Sequence, residues 1–133
     1  MLRGLTPAMP GGGAPGRPRP GLIPADPEGR RLVAKFFRAL GDPTRLALLE
    51  FCASGERQGT ECVRHVQLSQ GRVATHLACL VTCGLLTVRR EGRSALYSIR
   101  DPRELELLRL SQALVAEQAE EIASCTRVAT SPG

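Results

Sequence analysis

Apolar residues recur three and four positions apart through most of the chain, which is the period of an amphipathic helix. Leu32, Phe36, Phe37 and Leu40 share one helical face, so a first helix is predicted over 28–40, ended by Gly41. Asp42-Pro43 then reads as a helix start, because a carboxylate caps the free N–H groups and proline is preset for the first helical position. Leu46, Leu48, Leu49 and Phe51 supply the apolar side of this second helix, and Gly55 and Gly59 bracket a polar loop after it. A short third helix is predicted over 60–66. Leu68 and Ser69 make a turn, and Ser69 is a good N-cap for a fourth helix over 70–83, with Val73, Leu77, Leu80 and Val81 as its apolar positions and Gly84 as its stop.

The period then changes to two. Residues 85–90 read as a strand, Glu91-Gly92-Arg93 as a turn, and 94–99 as the return strand, with Ala95, Tyr97 and Ile99 expected on its inner side. Asp101-Pro102-Arg103-Glu104 opens a last helix that runs to about Cys125, with Asp101 as cap and Pro102 in the first position. Two short helices joined by a tight turn and followed by a basic hairpin make a winged helix-turn-helix, mainly α with a β-hairpin wing. Leu105, Leu108, Val115 and Ile122 give the last helix more apolar stripe than a small domain needs for itself, so the chain is expected to pair as a homodimer through its terminal helices. Residues 28–125 form this domain. Residues 1–27, with seven of the ten prolines, are expected to be a disordered tail and 126–133 a flexible one.

Composition narrows the function. The net charge of +5 favours a polyanion, while aromatics at 3% leave too few rings to stack single-stranded bases. No apolar run reaches the roughly 18 residues of a membrane span, and the Pro- and Gly-broken start lacks the apolar core of a secretion signal. The chain is therefore expected in the cytoplasm, with its five cysteines (Cys52, Cys62, Cys79, Cys83 and Cys125) reduced. No Cys–His–Asp/Asn arrangement and no phosphate-binding glycine loop suggests an enzyme.

Three strings, RALGDPTRLALLEFC, LSQGRVATHLACLVTCGLL and RREGRSALYSI, resemble in order and spacing the ArsR/SmtB family of metal-sensing repressors. The resemblance covers about 30–125. It implies a winged-helix homodimer that binds double-stranded operator DNA without metal and releases it with metal. The site with two cysteines four apart in the recognition helix and one near the C-terminus, found in the cadmium- and lead-sensing (CmtR-like) branch, fits Cys79, Cys83 and Cys125 best; mercury sensors on this fold are related. The arsenic type carries several cysteines in the third helix, where this chain has only Cys62. The zinc type carries histidine on the last helix, where this chain has none.

The chemistry agrees with that implication. Cys79 and Cys83 stand one helical turn apart, so both sulfurs share a face, about 6 Å apart at Cβ. Alone, such a pair reads equally as ligands or as small core residues. A third thiolate must come from another segment, from the same chain or its partner, and Cys125 is the natural source. Three thiolates suit Hg2+, Cd2+ or Pb2+, whereas zinc usually takes four donors in a closed site. Cys52 and Cys62 occupy apolar positions and read as core. For DNA, the start of the fourth helix offers Gln70, Arg72, Thr75 and His76 to bases, Ser69 and the helix N-terminus to a phosphate, and Arg89, Arg90 and Arg93 of the wing to the backbone or minor groove. His76 reads either as a DNA contact or as a partner of the metal site. A competing reading is a thiol-redox-sensing repressor acting through Cys79 or Cys83, which their poor placement for a mutual disulfide disfavours.

Overall fold

A computed structural model describes residues 26–129; residues 1–25 of the N-terminal tail expected over 1–27, and 130–133 of the C-terminal tail expected over 126–133, lie outside them. The elements run α1 (Pro27–Leu40), α2 (Pro43–Ala53), β1 (Arg57–Gln58), α3 (Gly59–Val66), α4 (Gln70–Thr82), β2 (Leu86–Glu91), β3 (Ser94–Ile99), α5 (Arg103–Glu117) and α6 (Ala119–Ser124). Among the described residues, those up to Arg38 form one compact unit and those from Ala39 onward another. In the first, α1 leaves Leu32, Val33 and Phe37 exposed, and Phe36 meets Phe37 edge to face at 5.4 Å.

The second unit is built on its caps. Asp42 accepts the Arg45 N–H at 3.0 Å, with Pro43 in the first turn of α2. Gln58 and Glu61 form a reciprocal capping box on α3, and Ser69 accepts the Arg72 N–H at 3.2 Å to start α4. Between α3 and α4 the chain turns at Gln67 in the left-handed conformation, φ 58°. Leu48 and Leu49 of α2, Cys62 of α3, Val73, Leu77 and Leu80 of α4, and Leu85 and Leu86 at the hairpin entry are all buried and make the core. The expected apolar face of α4 is thus the face that packs inward. A helix pair, a tight turn and a hairpin in this order are the winged helix-turn-helix.

Several local expectations need correction. The polar loop contains β1, whose Arg57 and Gln58 pair antiparallel with Tyr97 and Leu96, so the sheet has three strands in the order β1-β3-β2. A two-residue strand has no periodicity to read. The buried residue of β3 is Leu96, on the opposite face from Ala95, Tyr97 and Ile99, which are half-buried. The single last helix is two, separated at Gln118 (φ −126°, ψ 26°), with no glycine or proline to mark the break. Leu108 is buried within its own chain, and the exposed apolar residues are Leu110, Leu114 and Val115 on α5 and Ile122 on α6. Finally, α5 starts at Arg103 rather than Pro102, although Asp101 still accepts the Arg103 N–H at 2.9 Å.

Glu104 at that helix start carries a pH signature. Its Oε2 accepts the Asp101 N–H at 3.2 Å, while Oε1 is buried without a hydrogen-bond partner among the described residues. Burial, aided by the Asp101 charge, pushes its carboxyl up to about 7 from an ordinary value near 4.5. The folded chain therefore holds a proton there that the unfolded chain has lost. The resulting stability is full below the unfolded pKa and is lost as pH rises to the folded one. Glu104→Gln keeps the acceptor for Asp101 and removes the charge. In urea unfolding the variant should match wild type near pH 4 and be the more stable at pH 8; equal stability at both would contradict this account.

Candidate DNA interface and thiol site

The outward side of α4 begins with Gln70, Arg72 and Thr75, all exposed on the helix that follows the turn. Ser69 and Thr75 spend their hydroxyls on the helix itself: Ser69 accepts from the Arg72 N–H, and Thr75 donates to the Gly71 carbonyl at 3.1 Å. Both remain exposed: Ser69 still has its hydroxyl hydrogen to donate to a phosphate, whereas Thr75 keeps only acceptor capacity and its methyl group. In the wing, Gly92 takes the positive φ of the turn (62°) and sets exposed Arg90 and Arg93 on either side of it.

Two of the expected DNA residues face protein groups. Arg89 makes a two-pronged salt bridge to Glu56, with both N···O distances 2.9 Å, and stands 3.8 Å from Glu91. The guanidinium holds the exposed Glu56 carboxyl below the usual range. His76, 15% exposed, turns toward the start of α2, where its Nδ1 lies 3.3 Å from an Arg45 guanidinium nitrogen and 3.9 Å from Asp42 Oδ2. Arg45 Nε also donates to the Ala39 carbonyl at 2.6 Å. His76 is thus part of a polar joint that fixes α4 against the N-terminus of α2. Neither partner was legible in sequence, since Glu56 lies 33 residues from Arg89 and Arg45 lies 31 from His76.

The thiols occupy the other end of α4. Cys79 is half-buried in the last turn, and Cys83 is the exposed C-cap residue, its N–H bonded to the Cys79 carbonyl at 2.9 Å. The two therefore bracket the final turn of the helix whose first turn carries Gln70 and Arg72. Cys125 is exposed just past α6. Among the described residues of one chain no three His, Cys, Asp or Glu side chains converge as a metal site; Cys79 and Cys83 stand one turn apart at the end of α4. Cys52 and Cys62 are buried core residues, as expected from their positions. Among the described residues no helix is long and apolar enough to cross a membrane.

Residues 42–88, from the α2 cap to the first wing strand, match the family model described as bacterial regulatory protein, arsR family. A protein of Streptomyces lividans named as a probable mercury resistance operon repressor is 50% identical over 96 residues, which cover 72% of this chain and 77% of that one. The HTH-type transcriptional regulator CmtR of Mycobacterium bovis is 36% identical over 69 residues, covering 52% of this chain and 58% of its own. Among solved structures, the homodimeric winged helix-turn-helix DNA-binding domain of a possible ArsR-family regulator from Mycobacterium bovis superimposes with a TM-score of 0.63 at 28% identity, covering 69% of this chain and 85% of that one. These relatives are transcriptional regulators and not enzymes. With the cap, the turn, the recognition helix and the start of the wing inside the matched region, and a relative 50% identical over 77% of its own length, the chain belongs to the arsR family of bacterial regulatory proteins.

Proposed function

We propose that the chain is a homodimeric transcriptional repressor that binds operator DNA through α4 and the wing, and that leaves it when a thiophilic divalent cation, Hg2+ foremost, with Cd2+ and Pb2+ as the other candidates, is taken up by Cys79, Cys83 and Cys125. The observation that carries this reading is the sharing of one helix. The first turn of α4 holds exposed Gln70 and Arg72, and its last turn holds the two cysteines. A rigid helix cannot reorient one end without the other. The mercury-resistance name of the 50% identical relative supports Hg2+ as the effector.

The donor set fits a soft ion. Two sulfurs come from one turn of α4, and no imidazole or carboxylate joins them in the described chain. A third, from the partner's Cys125, would complete the trigonal thiolate set that Hg2+, Cd2+ and Pb2+ favour over zinc. The bound ion would supply sulfur–metal bonds that tie the end of α4 to the C-terminal segment. The protein's own part is positional: the His76–Arg45–Asp42 joint and the buried Val73–Leu77–Leu80 face hold α4, so a pull at its C-terminal end moves its N-terminal end in the groove.

Dimerisation is supported by Leu110, Leu114, Val115 and Ile122, which stay exposed on α5 and α6, and by the homodimeric state of the structural neighbour. Gln70 and Arg72 are assigned to base edges. Thr75, whose hydroxyl hydrogen is held by the Gly71 carbonyl, is assigned to base edges through its methyl group; Ser69 with the helix N-terminus, Arg90 and Arg93 are assigned to the backbone, and Arg89 joins them once it exchanges Glu56 for phosphate. His76 is assigned to positioning. The test is an anisotropy titration of operator DNA with reduced protein, followed by Hg2+, Cd2+, Pb2+ and Zn2+ in turn. Release by the soft ions should correspond to a coupling of about 1–3 kcal/mol, or roughly 5–150-fold in affinity, with little effect from Zn2+. Release by Zn2+ alone, or by none of the four, contradicts the proposal.

A further inference from the structure

Of the three wing arginines, Arg89 is the one already engaged by the protein. Its guanidinium fork meets the two carboxylate oxygens of Glu56, each at 2.9 Å. Among the described residues no carboxylate pairs with Arg90 or Arg93. Glu56 stands just ahead of β1 and Arg89 lies within β2, and these are the two edge strands, so the pair reaches across the central strand β3. The register explains the reach. Gln58 and Arg89 both lie opposite Leu96, one from each side, and residues directly opposite share a face of the sheet. Glu56, two residues before Gln58, is brought toward that same face by the period of an extended chain. Its neighbour Arg57 donates to the Phe51 carbonyl at 3.1 Å and to Ser54 Oγ at 2.7 Å, and lies 4.1 Å over the Phe51 ring. The carboxylate is therefore mounted on the end of α2, while the arginine belongs to the wing.

A carboxylate that takes both prongs of a guanidinium imitates the way a phosphate is held. On the assignment of the wing to DNA, we propose that Glu56 is a built-in competitor for the DNA phosphate: it occupies Arg89 in the free protein, operator binding has to displace it, and it thereby sets operator affinity below what the wing can reach. Both groups are open to exchange, the Arg89 side chain 55% exposed and that of Glu56 34%. Glu91, 3.8 Å from Arg89, is too distant to hydrogen-bond to it and moves with the wing. Arg90 and Arg93 gain a charge partner on meeting DNA, whereas Arg89 only trades one partner for another. When the protein leaves the operator, Glu56 takes Arg89 back, which favours the released state.

Removing the competitor should therefore strengthen binding. Glu56→Gln keeps the size of the side chain and one carbonyl acceptor but removes the charge. Exposed ion pairs are modest in strength, so the gain should be about three- to fivefold in operator affinity. A merely structural role for the pair predicts the opposite sign, since loosening the sheet would weaken binding in either single variant.

The test is a double-mutant cycle on full-length, reduced, metal-free protein: wild type, Glu56→Gln, Arg89→Ala and the double variant, each titrated on labelled operator DNA between roughly 50 and 200 mM salt. Arg89→Ala should bind more weakly and lower the slope of log K against log salt by about one, the mark of a lost phosphate contact. Glu56→Gln should bind about three- to fivefold more tightly than wild type, and this gain should fall below about 1.5-fold when residue 89 is alanine. Wild-type affinity and slope in Arg89→Ala would remove the wing contact itself, and the competitor with it. A loss there, with Glu56→Gln no tighter than wild type, would overturn the role of Glu56 and leave the DNA assignment standing. An equal gain with and without Arg89 would also overturn it, because the charge would then act on the DNA at large.

Discussion

Serine at position 79 or 83 is expected to leave operator binding intact and to abolish its release by Hg2+. Cys83 is exposed and Cys79 only half-buried, so neither substitution opens a core cavity. The cost in stability should stay within about 0.5 kcal/mol, as for other substitutions away from the core. Serine is close in size to cysteine, but its hydroxyl is a hard, neutral donor at physiological pH and does not replace a thiolate toward a soft ion. Losing either sulfur leaves α4 with a single anchor, which fixes neither its direction nor its rotation. The 5–150-fold loss of affinity expected of wild type should therefore shrink to less than about two-fold in each variant. Anisotropy on operator DNA with and without one equivalent of Hg2+ reads this directly. Full release in both variants would show that the ion acts elsewhere on the chain.

Elements that stand on local chemistry were readable from sequence. Ser69 caps α4, Asp42 with Pro43 opens α2, and the Val73–Leu77–Leu80 face is buried as its spacing implied. Each depends on residues within one or two turns. What escaped depends on pairing at long range. Strand β1 exists only because β3 lies beside it, and which face of β3 is buried, the one with Leu96 and not the one with Ala95 and Ile99, depends on what the rest of the fold packs against it. The stripe on α5 was seen, but its division was not. Leu108 faces inward while Leu110 and Leu114 remain exposed, which depends on where the rest of the fold sits. In the candidate site, the placement of Cys79 and Cys83 followed from helix geometry. The inward turn of His76 toward Asp42 and the capture of Arg89 by Glu56 did not, because each joins segments some thirty residues apart.

Mixing two defective chains should restore a site that neither possesses alone. One chain carries Cys79→Ser and Cys83→Ser; the other carries Cys125→Ser. If Cys125 completes the site across the dimer, each homodimer lacks a full set of three thiolates. The mixed dimer has one full set, made of Cys79 and Cys83 from the second chain and Cys125 from the first. If Cys125 instead served its own chain, the mixed dimer would have none. The proposed function takes the first arrangement, and the mixed dimer tests it directly. The exposed Leu110, Leu114 and Ile122 surface offers a route for a partner's C-terminal segment to approach. Co-expressed with different tags and purified through both, the mixed dimer should bind one Cd2+ in the presence of a competing chelator, against two for wild type and none for either homodimer. Its sulfur-to-metal absorption should reach about half the wild-type amplitude, in proportion to the intact sites. A mixed dimer as empty as its parents would place the third donor within the chain, and would require α6 to fold back toward the end of α4 when the ion binds.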